Sequence, residues 1–249
     1  MVRYKLTIEY DGTLYHGWQR QLGLPTIQEE IETAAFRMTG QSLVLHCSGR
    51  TDAGVHALGQ VAHLDFPDGF AAFKVRDGLN YYLKPQPICI LKAEVVDDDF
   101  HARFSTRERS YVYRIVNRFA PLTVERNRAW QVPKPLDIGK MHQAAQILTG
   151  THDFSTFRDS DCQALSPIKT LDQLDVRHVY GDHIEIFARS RSFLHHQVRN
   201  MVGSLKLVGE GRWNLDDLEK ALAAKNRKAG GPTAPPGGLY LYQIRYDTG

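Results

Sequence analysis

Val2-Arg3-Tyr4-Lys5-Leu6-Thr7-Ile8-Glu9-Tyr10 alternates apolar and polar side chains without a break. A period of two signals a strand with one buried face, and Asp11-Gly12 ends it as a turn. Working outward, Ile27, Ile31, Ala34/Ala35 and Met38 recur at helical spacing. Thr26 with Glu29 predicts a capping box at that helix's start, and Gly40 its stop. Leu43 to Ser48 reads as a strand, Gly49 to Gly54 as a loop and Leu58 to Phe66 as a strand. Phe70 to Leu83 reads as a helix broken by Pro85-Gln86-Pro87, and Ile88 to Val96 as a strand. The order β-α-β-β-α-β is the ferredoxin-like pattern.

The second half repeats it. Arg109 to Asn117 reads as a strand and Ile138 to Leu148 as a helix. Strands follow near Thr170 to Val179 and His183 to Arg189, then a long helix from about Phe193 to Val208. Asn214 is placed to cap a further helix, and Leu239 to Tyr246 is the last strand. The expected fold is therefore α+β, with two pseudo-duplicated ferredoxin-like halves on antiparallel sheets. The halves are residues 1–106 and 107–249, and a cleft between them is the natural place for a site.

With 249 residues, 42% apolar and 24% charged, the chain has the composition of an ordinary globular protein. No run approaches the roughly 18 apolar residues of a membrane span, and the N-terminus lacks the apolar stretch of a signal peptide. A cytoplasmic protein is expected. Cys47, Cys89 and Cys162 are odd in number and widely spaced, which argues against a disulfide framework or a cysteine zinc site. The net charge of +3 is small, but from Arg103 to Arg128 seven arginines face only Glu108 and Glu125. Tyr111, Tyr113, Phe104, Phe119 and Trp130 lie in or beside that stretch. Guanidinium forks with aromatic rings suit an RNA groove, and they suit a solvated basic strand face equally well.

In Gly49-Arg50-Thr51-Asp52-Ala53-Gly54-Val55-His56 two glycines permit sharp dihedrals or close approach of a ligand. Arg50 and Asp52 are two apart, so in extended backbone they share a side. A carboxylate kept ionised by an arginine can act as a nucleophile. The same spacing also fits a polar hairpin loop with an Asx-turn aspartate.

Read whole, Ser48 to Ala57 resembles the active-site motif of the tRNA pseudouridine synthases of the TruA type. Further segments resemble that family in the same order. They are Tyr10-Asp11-Gly12 with Gly17-Trp18-Gln19-Arg20, then Asp98 to Ser105, Ser110-Tyr111-Val112-Tyr113, His152 to Phe157, Phe193 to Gly203, and Gly238 to Leu241. The resemblance implies an isomerase that converts uridine to pseudouridine at positions 38, 39 and 40 of the tRNA anticodon stem-loop. It implies two ferredoxin-like halves around a central basic cleft, a homodimer, and no metal or organic cofactor. It makes Asp52 the catalytic nucleophile, with Arg50 displacing or holding the flipped base. Tyr111 becomes the tyrosine that stacks on the base, Arg199 the arginine that pairs with the carboxylate, and Leu239 part of the pocket wall. Gln197 stands where that family usually carries an apolar residue.

Two other classes are weighed. A metal-dependent hydrolase is invited by eleven histidines, but the chain has no H-E-x-x-H or H-x-H. His195 and His196, read as helical neighbours, would point about 100° apart. The signature of zinc base deaminases is missing. A non-catalytic RNA-binding module is the second class; it would not need Asp52 with Arg199.

Overall fold

The computed structural model describes residues 1–162 and 164–247. The chain divides into two compact units, one of Met1–Arg107 with the segment from Tyr240 onward, the other Glu108–Leu239. Each is mixed α and β, with mostly antiparallel pairing.

In the first unit the order is β1 (Val2–Tyr10), α1 (Ile27–Thr39), β2 (His46–Cys47), β3 (His56–Phe66), α2 (Ala72–Leu83) and β4 (Ile88–Val95). β4, β1 and β3 are neighbours in that order, all antiparallel. Alternation in β1 does what its pattern demands: Tyr4, Leu6, Ile8 and Tyr10 are buried. They share the core with Ile27, Ile31, Ala34 and Ala35 of α1 and Val75, Leu79 and Leu83 of α2. β3 is buried along nearly its whole length, as a central strand must be. Its far edge is split: β2 covers His63 and Ala62, and β10 (Leu239–Tyr246) pairs in parallel with His56 and Ala57. The strand expected over Leu43 to Ser48 has shrunk to the two residues of β2.

Thr26 does not form the expected capping box. It precedes α1, but its side chain makes no cap bond and its hydroxyl is buried without a partner. The first two helical N–H groups, of Ile27 and Gln28, instead donate to the carbonyls of Gly17 (3.2 Å) and Trp18 (3.0 Å). Gly40 ends the helix as expected, at φ 71°, its N–H on the Phe36 carbonyl.

In the second unit β5 (Thr106–Val116), β9 (His183–Ser190), β8 (Ile168–His178) and β7 (Gly150–Asp153) lie side by side in that order, each pair antiparallel. A two-residue β6 (Trp130–Gln131) runs parallel to β5. Neither β6 nor β7 was foreseen; both are too short to show a period. α3 (Ile138–Ile147), α4 (Gln197–Gly209) and α5 (Leu215–Ala223) complete the unit. Asn214 and Asp217 form the full reciprocal cap of α5. The expected boundary would keep 240–249 with the second half. The compact units group the segment from Tyr240 with the first, where β3 offers it an open edge.

Candidate active site

The loop that carries Asp52 is built on the segment that follows β1. Tyr10 Oη lies 2.7 Å from Thr51 Oγ1, and the Trp18 N–H donates to the Thr51 carbonyl at 3.0 Å. The Gly54 N–H reaches the Tyr15 carbonyl (3.3 Å), and Val55 N–H closes the turn on the Asp52 carbonyl (3.1 Å). Two glycines make this approach possible. A Cβ on Gly12 would stand 2.0 Å from the Val55 oxygen, and one on Gly17, whose φ is +88°, 2.6 Å from that of Thr51. His56 Nδ1 accepts the Gly12 N–H at 3.0 Å and stacks its ring on Tyr240 at 4.7 Å. At the loop's other end Gln60 Nε2 donates to the Gly49 carbonyl (2.7 Å), and Ser48 Oγ meets Thr106 Oγ1 (2.7 Å). Thr51 is thereby buried, while Asp52 is half-buried and Arg50 exposed on the same loop. The arrangement presents a carboxylate on backbone fixed from beneath.

The second unit holds Tyr111, Arg199 and Leu239. Tyr111 sits in β5 opposite Ala188, half-buried, its ring edge-on to Phe193 at 5.1 Å. Two residues on, Tyr113 is fully buried, and its hydroxyl donates to the Pro235 carbonyl at 2.8 Å. Burial pushes the Tyr113 phenol well above its ordinary value, against a smaller opposing pull from the positive charge of Arg199. Arg199 Nε donates to the Ala234 carbonyl at 2.8 Å, and the Ala234 N–H returns a bond to the Arg199 carbonyl at 3.1 Å. Leu239 is buried a few residues along the same segment.

The residues around Arg199 explain its motif. Asn200 Nδ2 donates to the Phe157 carbonyl (2.9 Å), and its Oδ1 accepts from Thr233 Oγ1 (2.7 Å) and Arg227 (3.0 Å). Ser204 Oγ accepts the Gly231 N–H at 2.9 Å, and a Cβ on Gly203 would fall 1.6 Å from the Pro232 oxygen. One face of α4 is thus pressed on the 231–234 segment. Gln197 is buried; its Oε1 accepts the Leu194 N–H at 2.8 Å and its Nε2 has no partner.

Arg50 and Asp52 therefore share one loop of the first unit, and Arg199 is bonded to the segment leading to Leu239 in the second. Tyr10, Gly12, Gly17 and Asn200 escaped sequence reasoning as site builders, although each lies in a segment of the ordered family set. One reading needs correction. His195 and His196 are not successive helical residues: α4 begins only at Gln197, because His196 is left-handed at φ 59°. Their rings lie together, centroids 4.0 Å apart, instead of diverging.

Comparison with known proteins agrees with the motif set. A family model described as tRNA pseudouridine synthase matches residues 6–105 and 144–247, leaving Tyr111 in the interval between. A protein of Rhodospirillum rubrum named tRNA pseudouridine synthase A is 59% identical, over 99% of this chain and 88% of its own. Its namesake in Rhodopseudomonas palustris strain HaA2 is also 59% identical, over 99% and 100%. That of Paramagnetospirillum magneticum is 57% identical, over 99% and 96%.

Proposed function

This chain belongs to the tRNA pseudouridine synthase family, and from that premise we propose that it isomerises uridine to pseudouridine at positions 38, 39 and 40 of the tRNA anticodon stem-loop. The observation that carries the reading is the Asp52 loop: a carboxylate on backbone clamped by the Tyr10-to-Trp18 segment, in a chain 59% identical to a named synthase over 99% of its length.

The reaction breaks N1–C1′ of uridine, turns the base and joins C5 to C1′; C5 gives up its proton and N1 gains one, so nothing is consumed. A stacked base must first leave its helix. Arg50, exposed beside the nucleophile, fills the vacated space or holds the phosphate. Tyr111 stacks on the extruded uracil, an interaction of about 1–3 kcal/mol by analogy with single-strand binding. Asp52 acts on the nucleotide by displacing N1 from ribose C1′, by adding to C6 of uracil or along a glycal path, and Arg199 supplies its counter-charge. Leu239 contributes an apolar wall. The substrate set needs no metal or organic cofactor, and the enzyme works as a homodimer in the cytoplasm. Among the described residues no helix is long and apolar enough to cross a membrane.

The test is mass analysis of uridine-to-pseudouridine conversion in an anticodon stem-loop, in chelator, with wild type beside Asp52→Asn. Conversion by the wild type alone supports the reading. No conversion by wild type, or equal conversion by both, overturns it.

A further inference from the structure

The start of α4 is held by an unusual device. His196, just before the helix, sits at φ 59°, a left-handed conformation that is strained for a non-glycine residue and persists only where its surroundings impose it. A carboxylate imposes it. His196 Nδ1 lies 2.6 Å from Asp159 Oδ2, and the Asp159 N–H donates to the His195 carbonyl at 3.0 Å. His195 Nδ1 is 3.8 Å from the other carboxylate oxygen, Oδ1, which also accepts the Asp161 N–H at 2.9 Å. Asp159 is thus bonded to the His195 backbone and the His196 imidazole, with the His195 imidazole close by. Burial would push its carboxyl up, but the Asp161 N–H and the two histidines more than reverse this and hold it below the usual range.

Arg199 is the third residue of this helix. At 1.5 Å rise per residue and a quarter-turn or so of rotation for each, a change in where the first turn begins swings its guanidinium by ångströms. Misplacement of about 1 Å can cost on the order of 100-fold in rate. Glycine would permit the left-handed position without holding the chain in it; this chain instead places a histidine there and clamps it.

We propose that Asp159 and His196 form a positioning pair that sets the entry of α4 and so aims Arg199 for the isomerisation. The inference rests on the functional reading above and adds two residues to it.

The test uses two variants of the full chain, assayed for conversion of the anticodon stem-loop. His196→Gly removes the imidazole and relieves the backbone; Asp159→Asn keeps size and removes charge. Each lowers kcat about tenfold, leaving KM within about twofold. In an Arg199→Gln background the same changes cost less than about twofold, because the pair acts through that arginine. Unchanged kcat in both variants overturns the proposal, and so do losses that multiply on the Arg199→Gln background. Should His196→Gly fail to fold, Asp159→Asn decides alone. A wild type that converts no uridine refutes the functional reading instead, whereas an active wild type with unaffected variants sinks only this inference.

Discussion

The Asp52 loop and the start of α4 each present a charged side chain, but they are held by different means. The loop is fixed largely by main chain on main chain: Thr51, Asp52, Gly54 and Val55 all bond through backbone groups, Gly12 and Gly17 let the strands of chain touch, and the Tyr10, Gln60 and Ser48 side chains add ties. The start of α4 is fixed by side chains, with Asp159, Gln197, Asn200, Thr233 and Arg227 spanning the gaps. Backbone clamping tolerates almost no added volume. A polar side-chain web suffers when one partner is removed, because the remaining buried groups lose their bonds.

The largest effect separates chemistry from scaffolding. Asp52→Asn is expected to cut turnover by at least about a thousandfold while tRNA affinity stays within about threefold. Retention of a tenth of the wild-type rate, measured by mass analysis, would reduce the loop to a support.

Added volume comes next. Gly12→Ala and Gly203→Ala both drive a methyl into a carbonyl, at 2.0 and 1.6 Å, and each should destabilise by about 1–3 kcal/mol or more. Thermal unfolding reports this as a fall of about 2–4 °C per kcal/mol for a protein of this size. Both should also lower kcat, because Gly12→Ala moves the Asp52 loop and Gly203→Ala moves α4 or the 231–234 segment that Arg199 bonds. Wild-type kcat in either variant would contradict that account.

Removal of a polar partner sharpens the contrast from the other side. Asn200→Ala strands the Phe157 carbonyl and two donors, and should cost about 1–3 kcal/mol. Tyr10→Phe takes only a hydroxyl from Thr51 and should cost about 1 kcal/mol. Urea unfolding with unchanged slope would measure both; a larger loss from Tyr10→Phe would invert the ranking.

A smaller effect is electrostatic and lies in the first unit alone. His63 is buried, its Nδ1 accepting the Ala102 N–H at 3.1 Å. Burial, His101, His46 and Arg3 lower its pKa to about 4. The unfolded chain therefore binds this proton more readily than the folded one, so stability is lost as pH falls from about 6.5 toward 4. His63→Gln should flatten that part of the stability profile, and an unaltered slope would contradict the assignment. Smallest of all, Arg126→Ala should leave kcat alone and reduce the salt slope of tRNA binding by about one.

Much of this molecule was readable before any coordinates. Alternation located β1 and helical spacing located α1 and α3, because those signals arise from which side of a single element is buried; the Asn214 cap located α5. The Asp52 motif was legible as part of an ordered set, although its own spacing fitted a plain hairpin loop. Tertiary structure alone decided that Thr26 caps nothing and that Gly17 and Trp18 supply acceptors for the first two helical N–H groups. It alone set the first residue of α4, through a carboxylate 37 positions from His196. It also gave the segment from Tyr240 to the first unit, at the open edge of β3. Periodicity reports burial along one element; bonds between distant backbone and side-chain groups leave no periodic trace, and it is those bonds that put the charged groups in place.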